Sequence, residues 1–207
     1  MLRPKNLFLY GLITVCCVIE AGLILSDLGL FGAGRLRQLA YHYGAFWPGL
    51  LDNWKPNYAA QPFVMFFSYA VLHSGWVHLL VNMISLWSLG RAVAARVGQS
   101  RFALLFIGTS LCGAAAFALL APGLRPMVGA SGSLFGLLGA LLAWHYVDRE
   151  TDREGLGDVA RVVGLLIGLN LVMWWAMGGQ LAWETHLGGF LGGWIGALLI
   201  DLRPRKD

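Results

Sequence analysis

The chain has 207 residues, 57% of them hydrophobic and 13% charged, with 15 Lys and Arg against 11 Asp and Glu. A soluble domain carries about a quarter charged residues, so this composition, with a mean hydropathy of +0.65, excludes an ordinary soluble enzyme and points to a membrane protein. The basic residues sit between apolar runs rather than in one patch, which excludes a nucleic-acid surface and reads as loop charge that orients a membrane protein.

A span needs roughly 20 apolar residues, and six segments qualify, at about 7–25, 77–94, 102–121, 131–147, 159–177 and 186–202. There is no internal repeat and no long hydrophilic stretch, so the expectation is one all-α membrane domain over residues 1–207. Arg3 and Lys5 precede the first apolar run as in a signal peptide, but no Ala-x-Ala cleavage pattern follows, and the run reads as a retained span. Cys16, Cys17 and Cys112 fall inside apolar segments and read as packing residues, not as a disulfide framework or a metal site.

Eleven of the fifteen basic residues alternate onto one side: Arg3 and Lys5, then Arg91, Arg96 and Arg101, then Arg149, Arg153 and Arg161, then Arg203, Arg205 and Lys206. Positive charge stays cytoplasmic, so both termini are expected inside. The connection over 26–76 is aromatic and partly amphipathic around Leu36, Leu39, Ala40, Phe46, Trp47, Leu50, Leu51 and Trp54, and Pro48, Pro56 and Pro62 interrupt it. It is expected to lie half-sunk in the outer interface; an aromatic belt without function accounts for the same residues.

The second span opens with His73-Ser74-Gly75-Trp76-Val77-His78 and reaches Asn82. His78 and Asn82 are i and i+4 and share a helix face. That spacing suits a cavity-facing polar pair or a structural interhelical hydrogen bond. His73 and His78 are i and i+5, which is not a same-face metal pair. The fourth span begins at Ser131 within Gly129-Ala130-Ser131-Gly132, and the sixth at His186. All three of these spans run from outside to inside, so His78, Ser131 and His186 fall at one depth.

Gly132 with Gly136, Gly189 with Gly193 and Gly192 with Gly196 are small-x-x-x-small pairs that let helix backbones approach closely. A serine hydroxyl is a poor nucleophile until a base takes its proton, and neutral imidazole is suited to that near neutral pH. Ser131 is therefore read as nucleophile and His186 as its base. The Ser131 backbone N–H, the His78 ring and the Asn82 amide are the plausible oxyanion donors. No Asp or Glu lies in mid-span, and Glu184, two residues before His186, is expected to point away from it. The reading is a Ser–His dyad with Phe135, one turn after Ser131, placed to stack on the histidine. His145 and His42 read as interfacial. Glu20, near the outer end of the first span, is expected to snorkel or to bond within the bundle, His73 is given no role, and Asn170 in the fifth span is expected to make an interhelical hydrogen bond.

Taken together, His78-x-x-x-Asn82, Gly129-x-Ser131-Gly132 and His186-x-x-Gly189-x-x-x-Gly193 resemble the rhomboid intramembrane serine proteases, in that family's order and over nearly the whole chain. The resemblance implies a six-transmembrane-helix rhomboid-like bundle with a lipid-embedded first loop, Ser131 as nucleophile, His186 as general base and acid, and His78 with Asn82 at the oxyanion. It implies no cofactor and no metal, and transmembrane protein substrates taken from the lipid bilayer past the fifth span, where Met173, Trp174, Trp175 and Met177 suit either a gate or interfacial anchoring. Two departures stand out: Phe135 replaces a common tyrosine, and Val64-Met65 lies near where a Trp-Arg pair is often found.

The alternatives make different demands. A small transporter needs polar sites near mid-membrane, whereas the polar cluster here is confined to the outer half. An inactive rhomboid-like binding factor implies loss of the serine or the base, and both are in the sequence. There is no His-Glu-x-x-His zinc motif and no pair of intramembrane aspartates, and the serine lacks the strand-turn-helix elbow of soluble hydrolases.

Overall fold

The computed structural model describes residues 6–31, 34–121, 125–151 and 155–200, so Arg3, Lys5, Arg153, Arg203, Arg205 and Lys206 of the charge pattern lie outside the described residues. Those residues form eight α-helices in the order α1 (Leu7–Asp27), α2 (Leu36–Gly44), α3 (Gln61–Ser68), α4 (Trp76–Val97), α5 (Gln99–Leu120), α6 (Ser131–Thr151), α7 (Gly157–Ala176) and α8 (Trp183–Ile200). Short 3₁₀ turns at Pro48–Leu51 and Tyr69–Val71 complete the first connection. No strand occurs among the described residues; an isolated antiparallel bridge pairs Phe46 with Met127.

Four helices, α1, α4, α5 and α7, are long and apolar enough to cross a membrane. At 1.5 Å per residue, about 20 residues reach across the hydrocarbon layer. The helices α6 and α8, of 21 and 18 residues, have similar length but are glycine-rich, and α6 runs into Asp148-Arg149-Glu150. Helix α8 begins at Trp183, three residues before the expected start, and the last two residues of the expected sixth span lie outside the described residues.

Burial follows helix periodicity. In α1 only a stripe through Leu9, Cys16, Glu20, Leu23 and Ser26 is buried, which leaves the remaining apolar faces outward, as in a helix with a lipid-facing side. Helix α6 is the central one, with ten buried residues from Gly132 to Trp144. Its glycines make it thin. A Cβ on Gly136 would strike Thr109 of α5, and one on Gly139 would strike the Phe190 backbone of α8.

The close approach of α6 and α8 is backbone to backbone. A Cβ on Gly189 would run into the Gly132 carbonyl oxygen, and one on Gly193 into that of Gly136. Lower in the pair the Trp144 indole N–H donates to the Ala197 carbonyl at 3.1 Å. On the far side of α8, Gly188 and Gly192 rest on Cys112 of α5.

The first connection is more closely tied to the bundle than its aromatic pattern suggests. Phe46 is fully buried with Met65, Tyr69, Ala114, Phe117 and Met127, while Leu39, Leu51, Trp54, Phe63 and Phe67 remain exposed. Glu20, fully buried in α1, pairs with Arg37 of α2 at 2.8 Å and accepts the Gly75 N–H at 3.0 Å. One carboxylate thus joins α1, α2 and the turn that starts α4.

Candidate active site

The heads of α4, α6 and α8 converge at one end of the bundle. The chain reaches α6 in extended form, held by reciprocal 3.0 Å backbone hydrogen bonds between Phe46 and Met127 and by the Gly129 N–H on the Tyr69 carbonyl at 2.9 Å. Gly129 turns the chain at φ +124, a conformation that suits glycine. Ser131 is then the first residue of α6. Thr185 of α8 wedges between Gly113 of α5 and Gly132 of α6, at positions where any Cβ would meet its methyl group. This fixes the first turn of α8 at the level of Ser131.

The result is a hydrogen bond of 2.9 Å between Ser131 Oγ and His186 Nε2. His186 is only 5% exposed. Phe135, one turn below the serine, lies flat on its ring, with centroids 4.2 Å apart and an interplanar angle of 9°. On the other edge, His186 Nδ1 lies 2.6 Å from Asn170 Oδ1 of α7. The expected interhelical bond of Asn170 therefore ends on the histidine that faces the serine. The sequence signal for it was a lone amide in an apolar span, which names no partner. Glu184 is fully buried.

On α4, His78 Nδ1 receives the Ser74 N–H at 3.3 Å and lies 2.9 Å from the Ser74 hydroxyl. A backbone N–H can only donate, so Nδ1 is the acceptor and the neutral ring carries its proton on Nε2. That edge faces Gly129, where an added Cβ would sit 2.9 Å from Nε2. A donor thus lies beside Gly129, two residues before Ser131. Asn82 is 2% exposed and donates one amide hydrogen to the His78 carbonyl at 2.8 Å.

His73 and His78 do come together, edge to face at 5.2 Å. Helical spacing does not apply to them, because the chain before Trp76 is not helical and Gly75 has φ +103. No group of three or more His, Cys, Asp or Glu suited to a metal occurs among the described residues.

An apolar cleft of about 650 Å³ opens beside the histidine, lined by Phe135, Leu166, Asn170, Trp174, His186 and Phe190 among others. Of the residues expected to form a gate, Trp174 lines this cleft. Trp175 and Met177 do not line it, and are 78% and 47% exposed. Helix α7 is the least embedded of the long helices, with Val159 its one buried residue. Arg149 ties its start through Asp158 at 3.3 Å, and Arg125 ties the turn after it through the Gly179 carbonyl at 2.8 Å.

A family model described as the Rhomboid domain matches residues 60–202, a stretch that contains every residue of this constellation. The chain is similar to the Rhomboid protease GluP of Bacillus subtilis, with 35% identity over 132 residues, which is 64% of this chain and 25% of that protein. It is also similar to two Arabidopsis thaliana proteins: RHOMBOID-like protein 5, at 36% over 135 residues (65% of this chain, 43% of that one), and RHOMBOID-like protein 7, at 31% over 140 residues (66% and 42%). The matched region spans from a quarter to somewhat under half the length of these relatives.

Proposed function

The chain belongs to the rhomboid family and is a multi-pass integral membrane protein, and from that premise we propose that it is an intramembrane serine endopeptidase acting on transmembrane segments of other proteins. The observation that carries this reading is the 2.9 Å pair of Ser131 Oγ and His186 Nε2 at the meeting of α6 and α8. Ser131 Oγ attacks the scissile carbonyl as His186 Nε2 takes the hydroxyl proton. The C–N bond then breaks, the imidazolium returns that proton to the leaving amine, and an acyl ester remains on Ser131. Water, deprotonated by the same histidine, hydrolyses the ester.

The developing oxyanion is met by the His78 Nε2–H, the Ser131 backbone N–H and the amide hydrogen that Asn82 does not spend on the His78 carbonyl. No metal or cofactor takes part. The six long helices serve as the spans of one membrane domain. Both termini are cytoplasmic, the site opens outward, and the exposed apolar side chains of the first connection lie in lipid. A substrate helix arrives from the bilayer past α7, whose outward apolar face and Trp174 suit that passage.

The test is cleavage of a model transmembrane substrate in liposomes by the wild type, Ser131→Ala and His186→Ala. Both variants are expected to lose cleavage. Wild-type turnover in Ser131→Ala would remove the serine from the mechanism.

A further inference from the structure

We propose that Asn170 is a positioning residue that selects the tautomer of His186, so that α7 takes part in preparing the base. This rests on the reading of His186 as general base.

The orientation of the Asn170 amide is decided by its second partner. Its Nδ2 donates to the Leu166 carbonyl one turn earlier at 2.9 Å. A flipped amide would set two oxygens against each other there, so Oδ1 must face His186. An amide oxygen only accepts. The ring nitrogen 2.6 Å away, Nδ1, is therefore the protonated one. In a neutral imidazole that leaves the Nε2 lone pair free, directed at Ser131 Oγ at 2.9 Å. The opposite tautomer would point an N–H at the serine and an unprotonated Nδ1 at the amide oxygen, so it could neither accept the hydroxyl proton nor keep the Asn170 bond.

The two histidines of the site are set in complementary forms by their neighbours. The Ser74 N–H makes Nδ1 of His78 an acceptor and Nε2 a donor; Asn170 does the reverse at His186. Phe135 stacks on the flat face of the His186 ring, which fixes its plane but is indifferent to which nitrogen holds the proton. Only the edge contact with Asn170 makes that choice. The same bond gives the sparsely buried α7 a polar tie to the site midway between its two anchored ends.

The experiment uses the full chain in liposomes with a fluorogenic transmembrane substrate, and compares Asn170→Leu, which removes the acceptor at similar size, with Asn170→Asp, which keeps it. Asn170→Leu is expected to lower kcat at least tenfold with KM unchanged, the ceiling being the roughly 100- to 10,000-fold worth of a general base. Asn170→Asp is expected to restore most of the loss. Histidine ¹⁵N spectra, with His186 assigned by its absence in His186→Ala, should give the Nδ1–H form in the wild type and a mixture in Asn170→Leu. The proposal is overturned by an unchanged kcat in Asn170→Leu, or by a loss that Asn170→Asp does not restore while the ring spectrum stays that of the wild type. Cleavage by His186→Ala would defeat the base assignment itself. A dead His186→Ala beside a fully active Asn170→Leu defeats only the role of Asn170.

Discussion

Helices α8 and α7 both contribute to the surroundings of Ser131, and they are held in opposite ways. Helix α8 lies against α6 at van der Waals contact of the two backbones, with Gly189 on the Gly132 carbonyl and Gly193 on that of Gly136. Helix α7 touches the bundle sparsely; Gly164 and Gly168 have nothing within 4 Å of an added Cβ. The lesson is a division of labour. Ser131 and His186 meet where no side chain intervenes and position is fixed by hard backbone contact, whereas the Asn170 contact on the other edge of the histidine comes from a helix held mainly at its ends.

Glycine substitutions break that comparison most directly. Gly189→Ala and Gly193→Ala place a methyl group on a backbone oxygen that cannot rotate away. Their cost is expected at or beyond the upper end of the roughly 1–3 kcal/mol typical of overpacking, and cleavage is lost as His186 is pushed from Ser131. Gly164→Ala and Gly168→Ala on α7 are expected to stay within about 0.5 kcal/mol of wild type, or to gain slightly from helix propensity. Denaturant titration in detergent micelles, alongside the cleavage assay, measures both sets. Equal effects on the two helices would mean that α8 is not held as described.

A smaller effect is expected at the junction before α4, which shares neither regime. Burial, with the His78 ring beside it, pulls His73 down to about 4 from its usual 6.5. The folded protein thus holds this ring neutral while the unfolded chain protonates near pH 6.5. The contribution to stability is intact above that value and is lost as pH falls toward 4. The loss is roughly 1 kcal/mol at pH 5.5. Unfolding measured from pH 7.5 to 4.5 should show this decline, and His73→Phe should flatten it. An unchanged slope in His73→Phe would assign the decline to other groups.

The fold-forming pattern was legible where it depended on periodicity. Apolar runs gave the long helices to within a few residues, and the glycine spacings marked the faces on which α6 and α8 meet. Phe135 was legible because one helical turn separates it from Ser131. Contacts made by irregular backbone or by long reach were not. The approach of His73 to His78 depends on a non-helical turn at Gly75. The partner of Glu20 is an arginine on a separate helix, Arg37. Asn170 stood out as polar, but the sequence gives no angle between α7 and α8 and so could not name His186. Phe46, which looked interfacial by its aromatic neighbours, is buried because its backbone pairs with Met127 and carries the ring into the core.

The central claim, that Ser131 is a nucleophile made reactive by His186, is tested most directly by covalent labelling with a fluorophosphonate followed by peptide mapping. The expected result is a single adduct on Ser131 in the wild type, with labelling lost in His186→Ala while that variant remains folded. An adduct on another residue, or labelling of His186→Ala at the wild-type rate, would contradict it.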